Sequence, residues 1–346
     1  MHPISNKLIQ WYKINKRDLP WRNTVDPYKI WLSEIILQQT QVVQGLNYYL
    51  KFIEYFPTVV DLANAPEDLV MRLWQGLGYY SRARNLHAAA KHIKNEHNGV
   101  FPKTYNEIKN LKGVGDYTAA AVASFAFQLP HAVVDGNVYR VLSRVFNCHT
   151  PINSSQGKKE FQHIADELLN TKKADLHNSA IMEFGALFCK PKNPKCEECP
   201  IQEICLAFQN KTVSELPNKT NTIKIKTRFF NYVIFNDKES VYITKRTEKD
   251  IWQNLYEFYL IESYQDIDTE SVLANPNLQK IASGFKLKTT TKVSKHILSH
   301  QHIYAKFYEL EITKKIADKR FKKVKRTELK SYGFPQLINK YLEPNG

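Results

Sequence analysis

The 346-residue chain has no run approaching the ~18 consecutive apolar residues that span a bilayer, so no segment reads as membrane-embedded. Its opening, Met1-His2-Pro3-Ile4-Ser5-Asn6-Lys7, lacks the basic-then-apolar order of a secretory signal, and a cytoplasmic protein is expected. Cysteine is scarce, at five residues. In a reducing compartment disulfides are not their expected use, so they need another explanation. Acidic side chains are outnumbered, 34 against 49 Lys and Arg, for a net charge of +15. Such an excess favours a polyanionic partner without identifying one. No internal repeat is visible, so the chain does not read as stacked copies of one unit.

What is present divides into two halves. From about Ser5 to Phe208 the apolar residues recur at helical spacing, as in Ile30, Trp31, Ile35, Leu37, Val42 and Leu46, with breakers at Phe56-Pro57 and Ala65-Pro66. The small apolar run from Thr118 to Phe127 suits a buried helix. Composition shifts at 209–224, rich in Asn, Lys, Thr and Ser and containing Pro217, which reads as a linker. Beyond it, Arg228–Phe235, Val241–Lys245 and Tyr304–Leu310 alternate and are rich in aromatic and β-branched residues, as strands are. The expected organisation is multidomain: an all-α unit over 1–208, a linker over 209–224 and an α+β unit over 225–346.

Cys189, Cys196, Cys199 and Cys205 form C-x6-C-x2-C-x5-C, leaving Cys148 apart. Four thiolates in one short loop can hold a tetrahedral zinc or a cubane cluster. Zinc ribbons pair two C-x2-C units, whereas here there is one, with unequal arms. One [4Fe–4S] cluster is therefore favoured.

Three other segments carry candidate chemistry. In Leu111-Lys-Gly-Val-Gly-Asp-Tyr-Thr-Ala119 two glycines allow a tight turn before a helix. The backbone N–H groups of Gly113, Val114 and Gly115 could there receive a phosphate without reading bases. Glu34, in Trp31-Leu-Ser-Glu-Ile-Ile-Leu-Gln-Gln-Thr-Gln-Val42, shares a polar helical stripe with Gln38 and Gln41, which by periodicity alone is a solvated face. Asp135, in Val133-Val-Asp-Gly-Asn-Val-Tyr-Arg140, follows a β-like pair and opens a helix, where it reads simply as an N-cap. Together the two carboxylates suit cleavage of an N-glycosidic bond. The departing base needs a proton, and the oxocarbenium-like sugar needs an anion. A glutamate in a partly apolar pocket can be the acid, while an aspartate at a helix start is expected to stay ionised through the helix dipole.

These segments, in this order, resemble the MutY-type adenine DNA glycosylases of the endonuclease III, helix-hairpin-helix superfamily. The likeness runs from Leu8 to about Leu342. It implies a monofunctional glycosylase of base excision repair that removes adenine mispaired with 8-oxoguanine or guanine in double-stranded DNA, as a monomer. Glu34 would protonate adenine at N7 and later help handle water. Asp135 would stabilise the sugar cation or form a transient adduct with it, with Tyr117 and Asn137 assisting. Arg17, Leu19, Trp21 and Arg22 match the family's first pocket motif; Gln39 and Tyr79 match residues that insert into the stack, as extruding a base requires. The cluster would be structural and would shape a basic loop bearing Lys190, Lys192 and Lys195. Lys112 departs from the pattern, where proline is common. At the position of Tyr117 the backbone-cleaving relatives carry a lysine that forms an imine, which a tyrosine cannot do.

The second half is looser. Asp250–Phe258 resembles the start of the family's Nudix-like, lesion-reading domain. Lys295-His-Ile-Leu-Ser-His-Gln-His302 resembles its 8-oxoguanine loop, with Leu298 in place of the usual Phe and with Ser299 and His300 retained. No Nudix box follows Phe258, so a binding module is expected rather than a nucleotide hydrolase. The Lys- and Arg-rich stretch 314–326 reads equally as a phosphate-contacting strip or a solvated surface. Two rival readings stand against this one. A bifunctional glycosylase–lyase is opposed by Tyr117 and the extra domain; a non-catalytic, cluster-bearing DNA binder is opposed by the retention of both Glu34 and Asp135.

Overall fold

The computed structural model describes residues 3–220 and 225–343. They form two compact units, Met1–Asn64 with Asn85–Asn221, and Ala65–Arg84 with Thr222–Gly346. Division in space thus differs from division along the chain: residues 65–84 belong with the second unit although they interrupt the helical half. Among the described residues no helix is long and apolar enough to cross a membrane.

The helical half contains α1 (Pro3–Asn15), α2 (Pro27–Leu37), α3 (Val42–Tyr55), α4 (Val59–Asn64), α5 (Glu67–Leu73), α6 (Ser81–Glu96), α7 (Tyr105–Lys109), α8 (Asp116–Phe127), α9 (Gly136–Val145), α10 (Ser155–Leu168), α11 (Ala174–Leu187) and α12 (Leu206–Gln209). The expected all-α first half is what forms, with α5 the helix that departs to the other unit. Four helices share a core in which Leu8 and Tyr12 of α1, Val138, Val141 and Leu142 of α9, Phe161 of α10 and Phe184 of α11 are buried together.

Helix α2 starts at Asp26, whose carboxylate accepts from the Tyr28 N–H at 2.9 Å, with Pro27 in the first turn where its missing donor costs nothing. It is buried nearly all round, from Ile30 to Ile36. Helix α8 runs buried from Thr118 to Phe125, its alanines allowing α2 to pack closely.

Two expectations change here. The polar stripe Glu34–Gln38–Gln41 does not exist, because α2 stops at Leu37, Gln38 is its extended C-cap and Gln39 is left-handed at φ 56°. Glu34 is 3% exposed, not solvated, since its neighbours bury both sides of the helix. Residues 210–220, within the expected linker, are hydrogen-bonded to the helical unit. The Arg144 Nε donates to the carbonyls of Val213 and Leu216, the Ile152 N–H to Asn218 O, and Thr220 N to Asn153 Oδ1.

The second unit is a mixed sheet with helices, as the strand-like segments led us to expect. Its strands are β1 (Lys226–Asp237), β2 (Ser240–Lys245), β3 (Tyr256–Glu257), β4 (Tyr259–Ser263), β5 (Phe285–Thr290), β6 (Ser294–Ile297), β7 (Gln301–Ile312) and β8 (Phe321–Lys325), with helices α13 (Thr269–Leu273), α14 (Pro276–Ile281) and α15 (Gln336–Leu342). The order is β3-β2-β1-β7-β5, with β1 parallel to β7 and β4, β6 and β8 paired to β1, β7 and β2. Residues 259–263, after Phe258, are strand and not the helix a Nudix box needs.

Segment 65–84 is tied to this sheet through its polar groups. Asp68 accepts from Lys245 Nζ at 2.7 Å and from the Tyr256 hydroxyl at 3.0 Å, and the Arg84 guanidinium donates to Gln253 O at 2.8 Å.

Candidate active site

One pocket of about 590 Å³ in the helical unit is lined by Arg17, Leu19, Trp21, Arg22, Glu34, Gln39, Tyr117, Asp135 and Asn137. It joins residues that are far apart in the chain. Glu34 comes from the last turn of α2, Tyr117 from the first turn of α8, and Asp135 caps α9.

The Tyr117 hydroxyl donates to Glu34 Oε2 at 2.6 Å, and the Arg22 guanidinium lies 3.8 Å from Glu34 Oε1. Arg22 rests on the Phe125 ring, 4.2 Å from its centroid, which fixes where its charge sits. Burial pushes the Glu34 carboxyl up; Arg22 and the Tyr117 hydrogen bond pull the other way, and Asp135 adds to the rise. Burial, then the charge of Glu34, holds the Tyr117 phenol well above its usual range, so it serves as a donor, not a base.

Asp135 is the expected N-cap. Its Oδ1 accepts from the Asn137 and Val138 amides at 2.9 and 2.7 Å, and its Oδ2 from Asn137 Nδ2 at 2.8 Å. The expectation of an aspartate kept ionised by the helix dipole changes, however. Burial dominates and raises its carboxyl too, against the pull of those three N–H donors. The two acids therefore differ in their partners, not in the direction of their shifts. Asp135 is met by three fixed N–H groups; Glu34 has one hydroxyl and one more distant cation.

Two residues at the site were given no role by the sequence. Glu183 on α11 accepts both arms of Arg17, at 2.7 Å each, and the Arg17 backbone N–H at 3.0 Å. Although burial alone would raise it, the Arg17 contacts hold the Glu183 carboxyl below its ordinary value. Arg140 lies within the quoted segment around Asp135 but shows its use only in the fold. It donates to Asn137 Oδ1 at 2.9 Å, Gly185 O at 2.6 Å and Cys189 O at 2.7 Å. Because Asn137 Nδ2 faces Asp135, Arg140 settles which way that amide points.

The turn before α8 uses its glycines differently from each other. Gly113 is left-handed at φ 82°, and a Cβ there would meet Asn85 Cβ at 2.6 Å. Gly115, the N-cap of α8, has ordinary extended backbone and open space around it, with no side-chain cap. Gly113→Ala should therefore lower stability by about 1–3 kcal/mol, from strain at φ > 0 plus the clash. Gly115→Ala should leave stability nearly unchanged but weaken duplex binding, because its methyl enters the open space at the start of α8. Paired melting curves and binding titrations check both.

The four cysteines Cys189, Cys196, Cys199 and Cys205 line one narrow pocket with Val141, Val145, Phe184, Phe188 and Ile201. A dry wall with four thiols and a neighbouring cation is what a thiolate-held inorganic cluster needs. The Arg144 guanidinium supplies the cation, 3.3 Å from Cys189 Sγ, and also donates to Lys190 O at 2.7 Å. The donor set fits such a group. Cys148 lies apart, donating to Glu160 Oε1 at 3.2 Å.

Tyr79, Leu298, Ser299 and His300 are not in the carboxylate pocket. They line a cavity of about 570 Å³ in the second unit, together with Trp252 and His296, which sequence reasoning did not single out. Tyr79 is left-handed at φ 45° and 44% exposed, and Ser299 Oγ lies 3.1 Å from His300 Nδ1.

Comparison with known proteins fits this division. The chain matches the model of HhH-GPD superfamily base excision DNA repair proteins over residues 32–170, the iron-sulfur binding domain of endonuclease III over 189–205 and the NUDIX domain over 231–344. An adenine DNA glycosylase of Buchnera aphidicola subsp. Baizongia pistaciae is 36% identical over 300 residues, 86% of this chain and 83% of the relative. The adenine DNA glycosylase of Homo sapiens is 41% identical over 211 residues, covering 58% of this chain and 39% of its own. Among solved structures, a thermostable thymine-DNA glycosylase superposes with a TM-score of 0.56 at 31% identity, covering 60% of this chain and 95% of that one. One chain thus carries the matches to all three domains and is more than 30% identical to an adenine DNA glycosylase over most of both lengths, and it belongs to the adenine DNA glycosylase family of the helix-hairpin-helix superfamily.

Proposed function

We propose that the chain removes adenine paired with 8-oxoguanine, or with guanine, from double-stranded DNA by acid-assisted hydrolysis of the N-glycosidic bond, without cleaving the backbone. The observation that carries this reading is the pair Glu34 and Asp135 lining one pocket, Glu34 buried and gripped by Tyr117. Protonated Glu34 delivers its proton to N7 of the extruded adenine. Asp135, held by three N–H groups, then faces the developing positive charge at the sugar, as a stabilising anion or as a transient covalent partner. Tyr117 orients Glu34, and Asn137 orients Asp135. Arg17, Leu19, Trp21 and Arg22 wall the base, and Gln39, at the exposed break between α2 and α3, is placed to fill the stack. The amides of Gly113 and Gly115 take a phosphate; that of Val114, expected to join them, already donates to Leu111 O at 3.1 Å.

The Nudix-like unit contributes the second pocket, where Leu298, Ser299 and His300 meet the base opposite adenine and Tyr79 wedges the duplex. Tyr117 has no amine, which supports base release without lyase chemistry. Cys189, Cys196, Cys199 and Cys205 would hold one [4Fe–4S] cluster, a staple for the basic loop. Purified protein should contain about four iron and four sulfide per chain; one zinc instead would reject the cluster. A monomer acting on DNA in the cytoplasm completes the reading.

Duplexes holding A opposite 8-oxoguanine, G or T test the central claim. Strand breaks in the first two, appearing only after alkali, are expected. Breaks without alkali, or equal cutting opposite T, would overturn it.

The shift on Glu34 yields a pH prediction. Reaction requires the protonated acid, so the rate is full below its raised pKa and falls as pH rises through it. The Tyr117 hydrogen bond favours the anion and thus lowers that pKa. Tyr117→Phe should therefore move the alkaline limb of the single-turnover rate to higher pH. An unmoved limb would mean that another group delivers the proton.

A further inference from the structure

Arg228 on β1 is 7% exposed and engages three separate segments with its five N–H groups. Its fork meets Asp250 at 2.9 and 2.8 Å and Glu262 of β4 at 2.7 and 2.6 Å, and a fifth bond reaches Gln301 Oε1 at 3.2 Å. The buried Phe230 ring lies 4.8 Å beneath the guanidinium. A planar fork used on all sides is a placement that lysine cannot copy.

Two of these partners stand at the edges of the second pocket. Asp250 begins the wall Asp250-Ile251-Trp252. Gln301, the first residue of β7, follows directly on the Leu298-Ser299-His300 wall. The Asp250 wall is costly to hold. Trp252 is left-handed, at φ 60°, a conformation that a bulky residue keeps only where its surroundings impose it. Arg246 completes the restraint, donating to Asp250 Oδ2 at 2.9 Å, Ile251 O at 3.1 Å and Glu257 Oε2 at 2.6 Å. Trp252 is thereby set with its ring 5.8 Å from that of His296, which also lines the cavity.

We infer that Arg228 is the positioning residue of the opposing-base pocket, fixing the Trp252 wall and the root of the 298–300 loop at one spacing. It touches no base. The inference rests on the reading of that cavity as the site for the base opposite adenine. Because it acts on spacing, its loss should erode discrimination between 8-oxoguanine and guanine and leave the adenine chemistry in the other unit alone.

The test measures single-turnover adenine release from A·8-oxoguanine and A·G duplexes with the full-length protein. Arg228→Met should lower the preference for 8-oxoguanine by about tenfold, roughly one hydrogen bond's worth of discrimination, with the A·G rate within about twofold of the parent. Arg228→Lys should restore only part of it. Removing Arg228 takes the guanidinium from Glu262 while Asp250 keeps Arg246, so the variant is tested alongside Gln301→Met, a neutral change that cuts the same link to the loop and should also reduce the preference. Ser299→Ala and His300→Ala report on the pocket itself. If they erode the preference while Arg228→Met and Gln301→Met do not, the positioning role is wrong and the pocket stands. If none of the four changes it, the pocket's role fails and the inference with it. A preference unchanged while the melting temperature drops would make Arg228 a structural residue only.

Discussion

Glu34→Gln is expected to slow adenine release by at least about 10³-fold while duplex affinity stays within about threefold. General-acid contributions of roughly 10²–10⁴ set the scale. Glutamine keeps the shape and an acceptor for the Tyr117 hydroxyl, so the pocket should hold its form, but it has no proton to give. The fold should tolerate the change. A buried carboxyl whose pKa is raised by burial gains little from its charge, and a neutral amide removes the desolvation cost. Single-turnover kinetics with a binding titration on the same duplex checks both halves; near-parental release would end the assignment of Glu34 as the acid.

Asp135→Asn should be comparably damaging, by about 10²–10³-fold, for a different reason. The sugar's positive charge would then face a neutral amide, and preorganised electrostatic contacts of this kind are worth a few kcal/mol. Asparagine still caps α9 through its carbonyl oxygen, but its NH2 then faces the Asn137 Nδ2 donor that Arg140 holds in place, so stability should fall by about 1 kcal/mol. Asp135→Ala removes charge and cap together and should cost about 1 kcal/mol more. Equal activity loss in the two variants with unequal melting temperatures would separate charge from capping. If the asparagine variant instead retained activity, the anion would have to come from another group.

The sequence was most legible where function depends on neighbours along the chain. Cysteine spacing, the glycines before α8, the capping aspartate and the alternation of the strands are all local, and each appears where it was read. It was least legible at Glu34. Periodicity made it a solvated stripe, because a hydrophobic pattern reports one helix and not what packs on its polar side. Burial of Glu34 is imposed by segments such as α8, whose Tyr117 lies 83 residues away. The same holds for Glu183, which meets Arg17 across 166 residues, and for Arg140, whose partners lie on its own helix, on α11 and in the cysteine loop.

By itself, then, the sequence determined the order of helices and strands, the four thiols and the presence of two acids and a tyrosine after the glycine turn. These are matters of residue type and short-range spacing, which the backbone's two periodicities convert directly into structure. Only the tertiary structure decided that both acids are buried and pushed the same way, that three N–H groups single out Asp135, and that Tyr79 belongs with the Nudix-like sheet. Each of those depends on dielectric surroundings and on side chains brought together from distant parts of the chain, and pKa and position follow from that company rather than from identity.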